Sequence, residues 1–114
     1  MRTSYFARYK GTDGVSIAVG SPRWFKGDIY TLLCPTWDII ESYFKTNDWK
    51  VYEERYRKEI LSKLDPHKVY EDLKDKVILC WERSNCNCHR HIVSAWIKEN
   101  TGHDVEEILL PFKS

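Results

Sequence analysis

The sequence predicts a small α/β domain in which a mainly parallel sheet is flanked by helices. Two observations lead to this prediction. Short apolar runs typical of strands occur along the chain together with longer segments of helical periodicity. Helical segments also separate distant strands, as crossovers between parallel strands require. With 114 residues, the chain is expected to form a single domain, residues 1–114, around one core.

The first half of the chain is expected to supply two strands and three helices. Residues 1–7 have high strand propensity and are followed by turn residues, and residues 15–19 are a second short strand. Residues 20–35 show no regular period and are expected to form a long loop. Three helices are predicted next. The first begins at about residue 36, the second spans residues 49–64 and the third spans residues 66–74, with caps at Asp48 for the second and Asp65 for the third.

The second half is organised around an apolar run, residues 77–80, that predicts a buried strand. A polar turn separates this strand from an amphipathic helix over residues 88–100, which Gly102 ends. A last apolar run over residues 105–110 predicts another strand. The element order β, β, α, α, α, β, α, β therefore predicts a compact, mainly parallel and Rossmann-like sheet.

Composition limits the functions to consider. The formal net charge of +1 argues against a protein that holds nucleic acid mainly by bulk electrostatics. The sequence shows neither a signal-peptide pattern nor the roughly 20 apolar residues of a membrane span, so a cytoplasmic protein without membrane contacts is expected. It also lacks a Gly-rich phosphate loop and the pattern of a Ser-His-Asp triad.

Three of the four cysteines and two of the four histidines fall within residues 80–91. In a reducing compartment such clustering indicates metal binding or chemistry more often than disulfides. Ligands of open α/β sheets bind just past the carboxyl end of a strand, where the next helix begins, and a helix N-terminus favours an anion or a thiolate. The sequence therefore predicts a site that contains Glu82, Cys86, Cys88, His89 and Arg90.

The chain resembles the bacterial, archaeal and phage proteins of the family called domain of unknown function 488. The likeness rests on a strand that ends in Leu-Cys-x-Glu, here residues 79–82, and on a Cys-His-Arg element that opens the next helix, here residues 88–90. It extends over most of the chain, including residues 3–7, 15–18, 33–35 and 52–57. The resemblance implies an α/β fold with a site around the two motifs, and it implies no established activity.

The two motifs supply candidate catalytic residues. Cys88, at a helix N-terminus beside His89 and Arg90, is in the electrostatic setting that lowers the pKa of a thiol and makes it nucleophilic. Glu82 is a candidate general acid or base, or a simple ion-pair partner of Arg90. Bracing of the loop without catalysis is the alternative for both candidates. Cys80 is expected to be a buried, unreactive thiol.

The first functional hypothesis is that the protein binds an anionic ligand, either a nucleotide or a nucleic-acid fragment. Hydrolysis of that ligand, or group transfer to or from it, is an extension of this hypothesis. The candidate ligand-binding residues are Ser4, Arg23, Trp24, His89 and Arg90. Arg90 would hold the anion at the helix N-terminus, and Trp24 with Arg23 would stack on a base. This hypothesis predicts that Arg90→Ala abolishes binding and leaves stability nearly unchanged. Alternatively, Trp24 simply anchors its loop on the core.

The main alternative is a non-enzymatic interaction module with a structural Cys/His metal site. Cys86, Cys88 and His91 are the ligands expected if a metal is present, joined by Cys80 or His89, and zinc accepts these ligand types. The single residue between Cys86 and Cys88 is a closer spacing than zinc sites usually show, so the cofactor stays unknown. A third hypothesis is a thiol redox sensor that uses Cys86 and Cys88.

Overall fold

The computed structural model describes residues 1–83 and 86–108. Within them are five short strands: β1 (Arg2–Tyr5), β2 (Gly14–Ser16), β3 (Asp28–Ile29), β4 (Val77–Cys80) and β5 (Glu106–Glu107). They form one sheet in the order β3-β2-β4-β1-β5, and every pairing between described strands is parallel. The predicted α/β fold with a mainly parallel sheet is confirmed. β4 is the central strand, with all four of its residues buried.

Four α-helices are described: α1 (Trp37–Thr46), α2 (Trp49–Glu59), α3 (Pro66–Leu73) and α4 (His89–Thr101). The predicted caps of α2 and α3 form, because the side chains of Asp48 and Asp65 accept hydrogen bonds from backbone N–H groups at 3.3 Å and 2.9 Å. Thr36 caps α1 in the same way at 3.4 Å. Gly102 ends α4 with a φ of 78°, the left-handed conformation that glycine adopts without strain.

Three boundaries differ from the prediction. The expected loop over residues 20–35 contains β3 and a short 3-10 helix, Thr31–Leu33, because a strand of two residues is too short to show a period. β2 ends at Ser16, and the helix predicted over residues 49–64 ends at Glu59 and continues as a second 3-10 helix, Leu61–Lys63. The last predicted strand is described only as β5, since residues 109 and 110 lie outside the described residues.

Side-chain alternation along β4 divides the core into two clusters. Ile78 points into the larger cluster, which includes buried side chains from all four helices. Val77 and Leu79 point into the smaller cluster with Phe6, Ala18, Cys80 and Cys88. The described helices therefore cover one face of the sheet, and loop residues cover much of the other. A search of the described helices for one long and apolar enough to cross a membrane finds none.

Candidate functional site

A cavity of about 170 Å³ lies past the carboxyl ends of β2 and β4, where α4 begins. The segment that follows β2 forms one side of it, and the segment from Cys80 to Glu82 forms another. Cys88 and His89, at the start of α4, close it. The cavity therefore brings residues of both sequence motifs together at the end of the sheet where ligands of α/β proteins usually bind.

Aromatic side chains form most of the remaining walls of this cavity. The rings come from α1, α2 and the residue after β4, and they belong to Trp37, Tyr43, Phe44, Trp49, Tyr52 and Trp81. The inner rings pack on one another: Trp49 stacks on Tyr52 with 4.6 Å between centroids, and Tyr43 contacts both edge-on. The outer rings of Trp37 and Phe44 are 60% and 71% exposed and form the rim. We call this feature the aromatic cavity.

A disulfide joins Cys80 and Cys88 in the wall of the aromatic cavity. Both residues are buried. The bond connects the end of β4 to the start of α4, so it spans the loop between the two motifs. Sequence reasoning predicts separate thiols here, with Cys80 unreactive and Cys88 nucleophilic, and in this structure neither residue carries a free thiol. Cys86 is exposed and takes no part in the disulfide.

His89 is held in one tautomer by the strand beside it. Its Nε2 lies 2.7 Å from the carbonyl oxygen of Ile17, so Nε2 carries the proton and donates it to that oxygen. The other ring nitrogen, Nδ1, lies 3.7 Å from Cys88 Sγ. Burial lowers the pKa of His89 to about 4, and the charges of Arg90 and His91 act in the same direction. At neutral pH the imidazole is therefore uncharged, with its Nδ1 lone pair beside the sulfur.

Arg90 is completely buried, and its guanidinium is occupied by protein acceptors. Nε and Nη2 donate to the two carboxylate oxygens of Glu107 at 3.0 Å and 2.9 Å. Nη1 lies 2.8 Å from Cys80 Sγ and donates to the Glu82 carbonyl oxygen at 2.7 Å. The pairing of Arg90 with Glu82 therefore runs through the backbone, and the carboxylate partner is Glu107. Arg90 braces the end of β4, so its loss is expected to cost stability, contrary to the sequence-based expectation.

Glu82 is exposed and lines the aromatic cavity. Burial raises the pKa of Tyr52, and the negative charge of Glu82 raises it further. The Glu82 carboxylate is therefore close enough to act on that ring electrostatically. Among the described residues that line the cavity, Glu82 is the one with an acidic side chain.

The cysteine and histidine residues that could bind a metal are clustered differently from the sequence-based expectation. Among the described residues, Cys80, Cys88 and His89 place their ligand atoms within 4.8 Å of one another. Cys86 and His91, which the sequence suggested as ligands with Cys88, are not in this cluster. His91 instead lines a shallower depression with Trp49 and Cys88, among others. All three residues are among the candidate ligands expected from the sequence, and the fold brings them together by placing the end of β4 beside the start of α4.

The remaining three predicted ligand-binding residues, like Arg90, do not line the aromatic cavity. Trp24 is 55% exposed, contacts Phe6 edge-on and has Lys10 Nζ 5.0 Å from its ring centroid. It lines a separate cavity on the side of the loop that precedes β2, and Arg23 beside it is exposed. Ser4 is buried in β1, and its hydroxyl has no hydrogen-bond partner within residues 1–83 and 86–108. Ser4 lies in β1 opposite Leu79 of the first motif, and Trp24 shares its separate cavity with Leu79, but neither residue lines the aromatic cavity.

Sequence reasoning missed most of the aromatic residues in the cavity wall. Trp37, Ile40 and Phe44 recur at helical spacing on one face of α1, and this face lines the cavity. The sequence signal for the cavity was the large rings on one side of this ten-residue helix. These rings are not the buried part of α1, because its buried residue is Ile39. Such a stripe is usually assigned to the core, and here two of its rings are mostly exposed.

Comparison with known proteins gives one match. The family model described as "DUF488-N3a: Active DUF488-N3 subclade" matches residues 12–101. That span contains the aromatic cavity residues, both motifs and all four described α-helices. No curated protein and no solved structure matches the chain.

Proposed function

The chain belongs to the DUF488-N3a family, and from this premise we propose that the aromatic cavity binds the base of a nucleoside or nucleotide. The observation that carries the proposal is the convergence of six aromatic rings on Glu82, Cys88 and His89. Aromatic faces stack on bases because every base presents a π-face. A few polar groups at one end of an apolar cavity then fix the orientation of the ligand.

The size of the cavity supports a small ligand. Its volume of about 170 Å³ lies below the roughly 300–1,000 Å³ of sites that enclose drug-sized molecules. A single ring system fits this space, whereas a dinucleotide would extend beyond the rim. The exposed rings of Trp37 and Phe44 form the rim past which the ligand would enter the cavity.

The phosphate of a nucleotide would meet the start of α4. Cys88 occupies the N-cap position and makes no side-chain capping hydrogen bond in the described structure. The first N–H groups of α4 and its dipole therefore favour an anion at this end of the cavity. Arg90 contributes indirectly, because its guanidinium positions Cys80 and the Glu82 backbone and is itself occupied.

Glu82 is the catalytic candidate of this proposal, as a general acid or base toward a bound ligand. Cys88 is a nucleophile only after the bond to Cys80 is reduced, because the thiolate is the reactive form. The family description calls this subclade active and names no reaction. The chemistry proposed for this chain is therefore hydrolysis or group transfer on a base-containing ligand.

Tryptophan fluorescence of the full chain, titrated with adenosine and uridine monophosphates, tests the proposal. Saturable quenching is expected for the wild type. Trp37→Ala removes a rim ring and is expected to weaken binding by about fivefold or more, since stacking on one aromatic residue contributes about 1–3 kcal/mol. Trp24→Ala is the matched control, because Trp24 is similarly exposed and lies in the other cavity.

The proposal is wrong if the wild type shows no saturable binding of either nucleotide. It is also wrong if Trp24→Ala weakens binding as much as Trp37→Ala does. Glu82→Gln separates binding from chemistry: it is expected to keep the nucleotide affinity and to remove any turnover of the bound ligand. A Glu82→Gln variant with unchanged turnover would contradict the catalytic role of Glu82.

A further inference from the structure

Cys80, Cys88 and His89 present two sulfur atoms and one ring nitrogen in the wall of the aromatic cavity. Zinc binds cysteine sulfur at about 2.3 Å and histidine nitrogen at about 2.0–2.1 Å, so ligand atoms of a tetrahedral site lie roughly 3.5–3.8 Å apart. Cys88 Sγ and His89 Nδ1 are 3.7 Å apart. This pair of atoms already has the separation that a shared zinc ion requires.

The backbone spacing of the two cysteines also suits a metal between them. The Cα atoms of Cys80 and Cys88 are 7.6 Å apart, whereas disulfides usually join Cα atoms about 4.4–6.8 Å apart. Two thiolates that bind one ion lie farther apart than two bonded sulfurs. When the bond is broken, the strand end and the helix start therefore leave room for an ion between the sulfur atoms.

The surroundings of the cluster resemble the outer shell of a metal site. The bond from His89 Nε2 to the Ile17 carbonyl leaves Nδ1 as the coordinating nitrogen, the arrangement that usually orients a histidine ligand. Arg90 Nη1 lies 2.8 Å from Cys80 Sγ and stabilises negative charge on that sulfur. Glu107 balances the charge of Arg90, so two thiolates and one divalent ion would leave the whole group neutral.

We infer that Cys80, Cys88 and His89 bind one zinc ion when the disulfide is reduced. Reduction by two molecules of a small thiol breaks the S–S bond, transfers their two hydrogens to Cys80 and Cys88, and leaves the small thiols joined as a disulfide. Binding of Zn²⁺ then releases one proton from each cysteine. Disulfide formation and zinc binding exclude each other, because both use the same two sulfurs.

Three protein ligands leave the fourth zinc position open, as in catalytic rather than structural zinc sites. All three residues line the aromatic cavity, so this position faces the cavity and takes water or a donor atom of a bound molecule. Zinc would thus sit at the polar end of the cavity. The inference does not depend on base binding, since the three ligands come from the chain itself.

Titration of the full chain with Co²⁺ after reduction by a phosphine tests the inference. Co²⁺ replaces zinc in such sites and reports its ligands by visible absorption. One Co²⁺ per chain is expected, with intense tetrahedral bands and a thiolate charge-transfer band, and Zn²⁺ is expected to displace it. The oxidised wild type has the same sequence and lacks the thiolates, so it is expected to show neither band.

Two variants locate the site. Cys88→Ser is expected to weaken Co²⁺ binding by at least tenfold and to reduce the charge-transfer band, whereas Cys86→Ser, altered at an exposed cysteine, is expected to bind as the wild type does. The inference is overturned if the reduced wild type shows only octahedral Co²⁺ bands, or if Cys86→Ser abolishes the signal. If Cys88→Ser does not fold, the comparison of reduced with oxidised wild type decides alone. The nucleotide titrations described above report independently on the proposed function.

Discussion

Arg90 and Glu107 form a buried bidentate ion pair between α4 and β5. The two N–H···O distances are 3.0 Å and 2.9 Å, and the side chains are 0% and 13% exposed. β5 has only two residues and pairs with β1, so this ion pair adds a side-chain connection to a short edge strand. The same guanidinium reaches Cys80, which links the edge of the sheet to the aromatic cavity.

We predict that Arg90→Met lowers the free energy of unfolding by about 3–5 kcal/mol, because it removes the guanidinium that binds the largely buried Glu107 carboxylate. Urea unfolding measures this change. Arg57→Met is the matched control, since Arg57 also binds a carboxylate with two donors, Nη1 and Nη2 to Glu99 at 3.0 Å and 3.1 Å, but is partly exposed. Its cost is expected to be about 0–1 kcal/mol. Equal losses in the two variants would contradict the structural role of Arg90.

Stability is expected to fall as the pH falls below about 6.5, because of His89. The pKa of this histidine is lowered to about 4 in the folded protein, mainly by burial, against about 6.5 when unfolded. Between these values the unfolded chain binds a proton that the folded chain does not. The contribution is therefore fully present above pH 6.5 and declines by up to about 3 kcal/mol as the pH approaches 4.

Urea unfolding at a series of pH values measures this decline. His89→Gln keeps an N–H donor for Ile17 and cannot titrate, so its stability is expected to depend less on pH between 6.5 and 4. His67→Gln, a change at an exposed histidine, is expected to keep the decline of the wild type. If His89→Gln and wild type show parallel pH dependences, His89 is not the group responsible.

The sequence predicts the order of the main elements because their signals are local. Caps such as Asp48 and Asp65 act within one turn, and the apolar run of β4 needs no partner to be recognised. The signal for the end of α4 is equally local, because Gly102 readily adopts the left-handed conformation that ends a helix. β3 escapes prediction because its two residues acquire strand structure only by pairing with β2.

The site is predicted less completely, because its contacts join distant parts of the chain. Sequence reasoning identifies Glu82, Cys88 and His89, which do share a cavity. It does not identify Glu107 as the partner of Arg90, since the two residues lie 17 positions apart in the sequence. Nor does it show that Trp24 lies in a different cavity from these three residues, because the position of a long loop over the sheet depends on tertiary packing.

Tyr56→Phe is expected to destabilise the protein by about 1–3 kcal/mol. The Tyr56 hydroxyl donates to the Leu33 carbonyl oxygen at 2.6 Å in a buried position, and this bond ties α2 to the 3-10 helix after β3. Phenylalanine keeps the ring and leaves that carbonyl oxygen unsatisfied. Thermal unfolding measures the loss. Tyr43→Phe serves as control, because Tyr43 is only partly buried and keeps its ring contacts; equal losses would contradict the role of the hydroxyl.

Asn47 sets the turn between α1 and α2, the two helices that carry most rings of the aromatic cavity. Its φ of 53° lies in the left-handed region, and its N–H donates to the Tyr43 carbonyl oxygen at 2.7 Å. Asn47→Gly is expected to leave the free energy of unfolding nearly unchanged, because glycine adopts this conformation freely. Asn47→Val is expected to cost about 1–2 kcal/mol, the penalty of left-handed backbone for other residues.

Urea unfolding of the two Asn47 variants measures these changes. Because Asn47 is exposed, changes in side-chain packing do not obscure the backbone effect. The valine variant is also expected to weaken nucleotide quenching of tryptophan fluorescence if the turn holds Trp49 of α2 against Tyr43 of α1, whose ring centroids are 5.5 Å apart. Equal stability of the glycine and valine variants would show that residue 47 is not held in the left-handed conformation. The orientation of α1 on α2 would then depend on the packing of their rings.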